Sequence, residues 1–335
     1  MTALTATAPS ARKQSRGSRG PHGLTWTLLR VHRSALWFWV LYVALTAGVI
    51  LWTYGPGANA ALDELVRSGC RDGTPNLGCD TGSAHVSRWA TGVGLGSSLI
   101  TVAPFLIAAW AGGSLIGREL ENGTAQLAWT QSVSPARWLA AKLAVPAVLI
   151  ATGTLLLTAL HRLMWASNPE LTQWYGTWNW FDPQIFNANG TLATAYALTG
   201  LALGVLAGLV ARRSLPGLGV GIVAVGILVQ QFQSLRPHLW PTETRKSPVG
   251  FEDTVSMWAG KGSYTSTGAR IPDLLCGDSA SCVARNDVAG VYLDYHPASH
   301  FWPLQLVETG ILLALVAVAA LIAFAVLRRR TGALV

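Results

Sequence analysis

LQLVETGILLALVAVAALIAFAVL, residues 304 to 327, followed at once by Arg328, Arg329 and Arg330, is the stretch that decides the fold. Its only charged residue is Glu308, near its start. A run of this length crosses the ~30 Å hydrocarbon core of a bilayer, which takes roughly 20 helical residues. Five more blocks read the same way: Ser34 to Tyr54, Gly96 to Ile116, Leu143 to His161, Leu192 to Ala211 and Leu215 to Ser234. None of these five contains Asp, Glu, Lys or Arg. A charge at the centre of a span costs about 2.5–3.5 kcal/mol on the insertion scale, so the pattern is the one lipid contact demands. Barrel strands would be shorter and alternating. Across the chain 12% of residues are charged, against about 25% in an ordinary soluble protein. The expected fold is an all-α integral membrane protein of six transmembrane helices, with an interfacial helix before the first and a large outer loop between the fifth and sixth.

The formal charge of +8 is explained by topology rather than by nucleic-acid binding. Arg12, Lys13, Arg16, Arg19, Arg30 and Arg33 precede the first span; Arg118, Arg137 and Lys142 follow the second, Arg212 and Arg213 the fourth, and Arg328 to Arg330 the sixth. These alternate connections share one side, and the positive-inside rule makes it the cytoplasm, with both termini there. The loop from Leu235 to Pro303 carries six basic residues, but it is longer than the loops to which the rule applies. Cys70 and Cys79 fall in the first outer loop, and Cys276 and Cys282 in the last. An oxidising exterior favours disulfides, and short separation favours Cys70 with Cys79 and Cys276 with Cys282 among three connectivities; unpaired thiols are the alternative. Ala58-Asn59-Ala60 imitates a signal-peptidase site, yet the apolar block before it is longer than a signal core, so an uncleaved anchor is the simpler reading.

Residues 1–21 read as a disordered basic tail near anionic headgroups, and residues 22–33 as the interfacial helix. The six-helix domain spans residues 34–327, and a short cytoplasmic tail, residues 328–335, follows it. The most informative connection is Gly117-Arg-Glu-Leu-Glu-Asn-Gly-Thr-Ala-Gln-Leu-Ala-Trp-Thr-Gln-Ser-Val-Ser-Pro-Ala-Arg-Trp-Leu-Ala-Ala-Lys142. Asn122-Gly123 breaks the helix, Thr124 is placed to cap a short second one, and Ser134-Pro135 is an N-cap with proline at the first helical position. This predicts a helix-turn-helix elbow over residues 117–142. The third connection holds Trp165, Trp174, Trp178 and Trp180, read as an interfacial aromatic belt or, more sharply, as an entrance for an amphipathic substrate. Gly200, Gly204 and Gly208, and Gly217 with Gly221, recur at the four-residue spacing that lets helix backbones approach within one subunit or across a dimer. Pro104 and Pro146 are the clear interruptions of the spans.

Several chemistries lack their residues. Ala259-Gly260-Lys261-Gly262-Ser263 falls short of a phosphate-binding loop. His296 and His300 are four apart, but Pro297 between them argues against a helical metal pair. No nucleophile elbow appears, and no pair of intramembrane carboxylates that would suggest a protease or a proton relay. Motion must then be powered from outside the membrane region.

The elbow, with Gly117-Arg-Glu-Leu-Glu-Asn-Gly-Thr followed by Ser134-Pro-Ala-Arg-Trp-Leu and Lys142, resembles the permeases of the ABC-2 type. The six-span order, the amphipathic entry and the large last outer loop are similar to that family too, although this loop, about 69 residues, is long for its better-known exporters. The scarcity of lysine, four of 24 basic residues, with abundant Ala and Gly, suits a GC-rich, actinobacterial-like source. The resemblance implies a permease dimer, of identical or different chains, in a bacterial cell membrane, bound to separate ATPase subunits that carry the ATP and Mg; no cofactor is expected on this chain. It implies that the elbow docks on the ATPase through Glu119, Glu121, Gly123, Thr124, Pro135 and Arg137. It also implies export, and spans free of central charge suit an amphipathic or lipid-like cargo. The competing reading is a membrane scaffold or sensor whose long outer loop binds a ligand.

Overall fold

The computed structural model describes residues 23–68, 83–131, 133–174, 178–248, 251, 256–271 and 280–332. The expected basic tail, Cys70, Cys79 and Cys276 lie outside them. Among the described residues six helical segments are long and apolar enough to cross a membrane: Arg33–Arg67, Ala84–Glu121, Pro135–Ser167, Leu192–Ala211, Ser214–His238 and Ala298–Thr331.

A short helix, α1 (Leu24–Val31), leads through His32 into the first span, made of α2 (Arg33–Trp52), a π-helical turn Thr53–Gly57 and α3 (Ala58–Arg67). On α1 the Arg30 guanidinium lies 4.9 Å from the ring of exposed Trp26, the mixed character expected of an interfacial helix. The second span is α4 (Ala84–Trp110), a π-helical segment Ala111–Gly117 and α5 (Arg118–Glu121), with α6 (Thr124–Gln131) turned off its end. The third is α7 (Pro135–Ser167), followed by two short helices, α8 (Pro169–Trp174) and α9 (Pro183–Ala188). The fourth and fifth are α10 (Leu192–Ala211) and α11 (Ser214–Leu235). Pro104 and Pro146 lie inside continuous helices, and the changes of helical register fall instead at Thr53–Gly57 and Ala111–Gly117. Single π turns of this kind absorb an extra residue without ending a helix.

The fourth span is the axis of the bundle. In its most apolar window 72% of residues are buried, against 11% in the first span and 22% in the third, fifth and sixth. Its glycines make that position possible. A Cβ on Gly204 would stand 2.5 Å from the Ala108 carbonyl oxygen, and one on Gly208 would stand 2.7 Å from that of Gly112. From the fifth span, a Cβ on Gly217 would stand 2.5 Å from the same Gly112 oxygen. The glycine spacing therefore serves packing inside this chain, joining spans two, four and five backbone to backbone.

The long fifth connection is not an irregular loop. After a 3-10 turn at Arg236–His238 it forms β1 (Glu243–Ser247), β2 (Met257–Thr265), β3 (Arg270–Ile271), α12 (Ala280–Arg285) and β4 (Val288–His296). The four strands make one antiparallel sheet in the order β1-β4-β2-β3, with Lys246 opposite Tyr292 and Gly262 opposite Tyr292 on the other side of β4. Val, Tyr and Leu in β4 favour a pleated, half-buried surface. The segment that fell short of a phosphate loop is the middle of β2. A second 3-10 turn, Ala298–His300, opens the sixth span, α13 (Phe301–Thr331). The bundle thus has an elbow end and a sheet end.

Candidate functional site: the elbow and the charges that anchor it

The elbow forms as its residues dictate. Helix α5 stops at Asn122, and Gly123 takes the left-handed conformation, φ +71°, that a side chain disfavours. Thr124 does not cap α6: its hydroxyl donates back to the Glu119 carbonyl at 3.2 Å, closing the end of α5 instead. The Ser134 hydroxyl accepts from the Arg137 backbone N–H at 3.4 Å, and Pro135 is the first residue of α7, as the Ser-Pro pair required.

Both elbow carboxylates are engaged within the chain. Glu119 accepts from the Lys142 ammonium and, at 3.3 Å, from the Trp138 indole N–H. Lys142, fully buried, spends its other hydrogens on the Leu115 carbonyl and on His32 Nε2, each at 3.1 Å. His32 in turn stands edge-on to Trp110, centroids 5.9 Å apart. One cluster therefore ties the hinge between α1 and α2, the end of the second span and the start of the third. Glu121 is exposed and accepts from both the backbone N–H and the hydroxyl of Ser214, each at 2.9 Å. It supplies a negative charge to the N-terminus of α11, where the helix dipole favours one.

What remains free is the far face of α6. Ala125 is buried and Trp129 meets Trp138 edge-to-face at 5.6 Å, whereas Gln126, Leu127 and Thr130 are exposed, as are Arg118 and Arg137 on either side. Leu127 is the exposed apolar residue of that face, beside Gln126 and Thr130.

A second charged cluster, at the sheet end, was not visible in the sequence. Arg236, assigned to the loop, is buried and pairs side-on with Glu308 of the sixth span, Nε to Oε2 at 2.8 Å and Nη2 to Oε1 at 2.9 Å. Tyr196 donates to Glu308 Oε1 at 2.6 Å, Asn187 Oδ1 accepts from Arg236 Nη2 at 2.6 Å, and the guanidinium lies 4.3 Å from the Phe186 ring. The signal that pointed here was the lone carboxylate of an otherwise uncharged span, which requires a partner. Two tryptophans of the third connection are tied into the bundle. Trp178 donates to the Ala90 carbonyl at 3.0 Å, and Trp180 packs edge-on against Phe181 and Phe301. Of the four cysteines only Cys282 is described, and it is disulfide-bonded. Among the described residues no group of three or more His, Cys, Asp or Glu is placed to hold a metal ion.

No curated protein and no solved structure matches the chain. The family described as ABC-2 membrane transporter related matches residues 40–236, from within the first span to the buried arginine at the end of the fifth. The chain therefore belongs to the ABC-2 membrane transporter related family and is a membrane-spanning permease component of an ABC transporter.

Proposed function

We propose that this permease exports an amphipathic small molecule or lipid-like cargo from a bacterial cell, driven by a separate ATPase that docks on the elbow. The elbow end then faces the cytoplasm, with both termini, and the sheet end faces outward. The basic residues at the elbow end support that orientation, and a second permease chain completes the pathway.

The single observation that carries the reading is that the elbow is anchored through both carboxylates of α5 while α6, turned off its end, is free on its far face. A lever needs both properties. Force applied at Leu127 reaches α1 and spans two and three through Glu119, Lys142 and His32, and reaches span five through Glu121 and Ser214. Gly123 and Pro135 hold the two bends of that lever, and Thr124 locks the first. Arg137, with Arg118, offers cationic contacts to an acidic rim on the partner, where charge sets docking rate and orientation. Glu119, half-buried, and Glu121, exposed but held by Ser214, act as anchors.

The test is co-purification of the tagged chain from membranes with an ATPase assay on the complex. Leu127→Asp places a charge at the centre of the docking face and leaves every anchor intact. It is expected to release the ATPase, or to lower transport-coupled hydrolysis at least tenfold, the loss expected for a buried interface centre worth about 2 kcal/mol. Membrane insertion and melting temperature should stay those of the parent. An ATPase retained and stimulated as before would remove α6 from the interface.

A further inference from the structure

The sixth span ends in three arginines, and one of them is tied. Arg330 donates to the Leu209 carbonyl near the end of α10. Arg328 and Arg329 are exposed, and among the described residues neither has a side-chain hydrogen bond or an ion pair. The carboxylates at this end of the bundle, Glu119 and Glu121, are already held by Lys142 and Ser214, so neither neutralises them. Arg212 and Arg213, three and four residues beyond Leu209, add to the positive charge.

Arg328 and Arg329 also form the rim of a hollow of about 560 Å³, which among the described residues is lined further by Leu321, Phe324 and Ala325. The helix dictates this grouping, because residues three and four apart share a face. Ala323 and Leu327 are buried, which turns Leu321 and Ala325 outward; Leu321 is 69% exposed. Ala325 lies one step of four residues from both Leu321 and Arg329, and its single methyl leaves the space that a larger side chain would fill. From Leu321 to Arg328 the groove runs about 10 Å along the helix. One end therefore lies within the apolar run of the span, and the other at headgroup depth.

A ligand that fills both ends carries negative charge joined to an apolar body. A water-soluble anion would satisfy the arginines and leave Leu321 and Phe324 bare, and a soluble protein cannot follow the groove into hydrocarbon. The N-terminal segment, with Arg12, Lys13, Arg16 and Arg19, would bring positive charge to positive charge, as would the same face of a second copy. We propose that the groove is a binding site for an anionic glycerophospholipid, its phosphate between the Arg328 and Arg329 guanidinium groups and the start of an acyl chain along Ala325, Phe324 and Leu321. Guanidinium forks match phosphate oxygens through paired hydrogen bonds, and basic pockets at span ends recognise lipid headgroups. A bound lipid neutralises the last turn of α13 where Arg330 fastens it to α10, and so steadies that junction.

The experiment titrates the full chain, purified in nonionic detergent, with phosphatidylglycerol, with phosphatidylcholine of the same acyl chains, and with glycerol phosphate. Native mass spectrometry reads the lipid retained, and thermal melting reads the stability. One phosphatidylglycerol per chain is expected to be retained in preference to phosphatidylcholine, with a rise in melting temperature that salt diminishes; glycerol phosphate should give no rise. Arg328→Gln with Arg329→Gln is expected to weaken phosphatidylglycerol about thirtyfold, two basic residues beside anionic headgroups contributing about fivefold each. Ala325→Trp keeps both charges, fills the hollow and should weaken it too. Arg118→Gln, at the same end but outside the groove, should leave it unchanged. Melting temperatures without lipid report whether each variant folds, and the lipid preference of the parent stands without any variant. Equal retention of the two lipids, or affinity untouched by the double arginine variant or by Ala325→Trp, would overturn the site; if Ala325→Trp split a dimer instead, the face would belong to a second copy. A response to glycerol phosphate equal to that of the lipid would make it a free-phosphate site. None of these outcomes depends on the ATPase or on the cargo, so they leave the transport reading to its own test.

Discussion

The two ends of the bundle each hold an ion pair between distant segments, built to different standards. At the sheet end Glu308 is 0% exposed and Arg236 3%, and Glu308 Oε1 and the guanidinium have further partners in Tyr196 and Asn187. At the elbow end Lys142 is 1% exposed but Glu119 is 22%, and the pair shares its space with a histidine that lies on a hinge. A sealed pair is a fixed tie, because breaking it leaves a bare charge in low dielectric. A half-open pair can exchange one partner for water as its helices tilt. The sheet end therefore reads as the frame of the permease and the elbow end as its moving part.

The strongest way to break this comparison is at the frame. Arg236→Ala leaves Glu308 and Tyr196 facing each other inside the bundle. The loss of a single partner from a buried pair costs about 3–5 kcal/mol, so thermal unfolding in detergent should fall far below that of the parent. Arg236→Met with Glu308→Leu removes both charges at similar volume and should melt above either single variant. A single variant no worse than the double would mean that the pair is not sealed.

The moving part should be more forgiving. Lys142→Met leaves Glu119 with the Trp138 indole, His32 and partial access to water, so the expected loss is about 1–3 kcal/mol, the range for an orphaned polar group. Coupling should suffer more than stability: stimulation of the ATPase is expected to drop while the chain still inserts. A stability loss equal to that of Arg236→Ala would erase the distinction between the two ends.

The same contrast explains what was legible in the sequence. The fourth span was read as Leu192 to Ala211 and is α10 over those residues, because lipid contact is written locally, in the absence of charge. The elbow's bends were also local, in Asn122-Gly123 and Ser134-Pro135. The second span was read as Gly96 to Ile116, but its helical segment runs from Ala84 to Glu121, since a helix continues past the bilayer where hydropathy no longer marks it. What escaped was pairing across the chain. Arg236 meets Glu308 over 72 residues, and Lys142 meets His32 over 110. The strands of the fifth connection pair residues as far apart as Glu243 and Tyr295. Glu308 stood out as the lone charge of its span, but nothing in the sequence said which residue pairs with it. For Glu119 and Glu121 the resemblance implied a partner on another chain, and only the fold reveals their partners within this one, Lys142 and Ser214.

The smallest expected effect sharpens the comparison from the exposed side. Glu121 binds the Ser214 N–H and hydroxyl in the open, so neither group is stranded when the side chain is lost; water replaces it. Glu121→Gln keeps an oxygen acceptor for the N–H and removes only the charge at the start of α11. Its melting temperature should match the parent more closely than that of either ion-pair variant, Arg236→Ala or Lys142→Met. Raising the salt should shrink even that difference, because an exposed charge at a helix end is screened. Hydrogen exchange at Gly217, whose N–H bonds the Arg213 carbonyl at 3.0 Å in the first turn of α11, is the measurement. Faster exchange there, with unchanged exchange in α10, places Glu121 as a local anchor that sets how firmly span five follows the elbow. Exchange that quickens through α10 as well would make the moving part and the frame one cooperative unit.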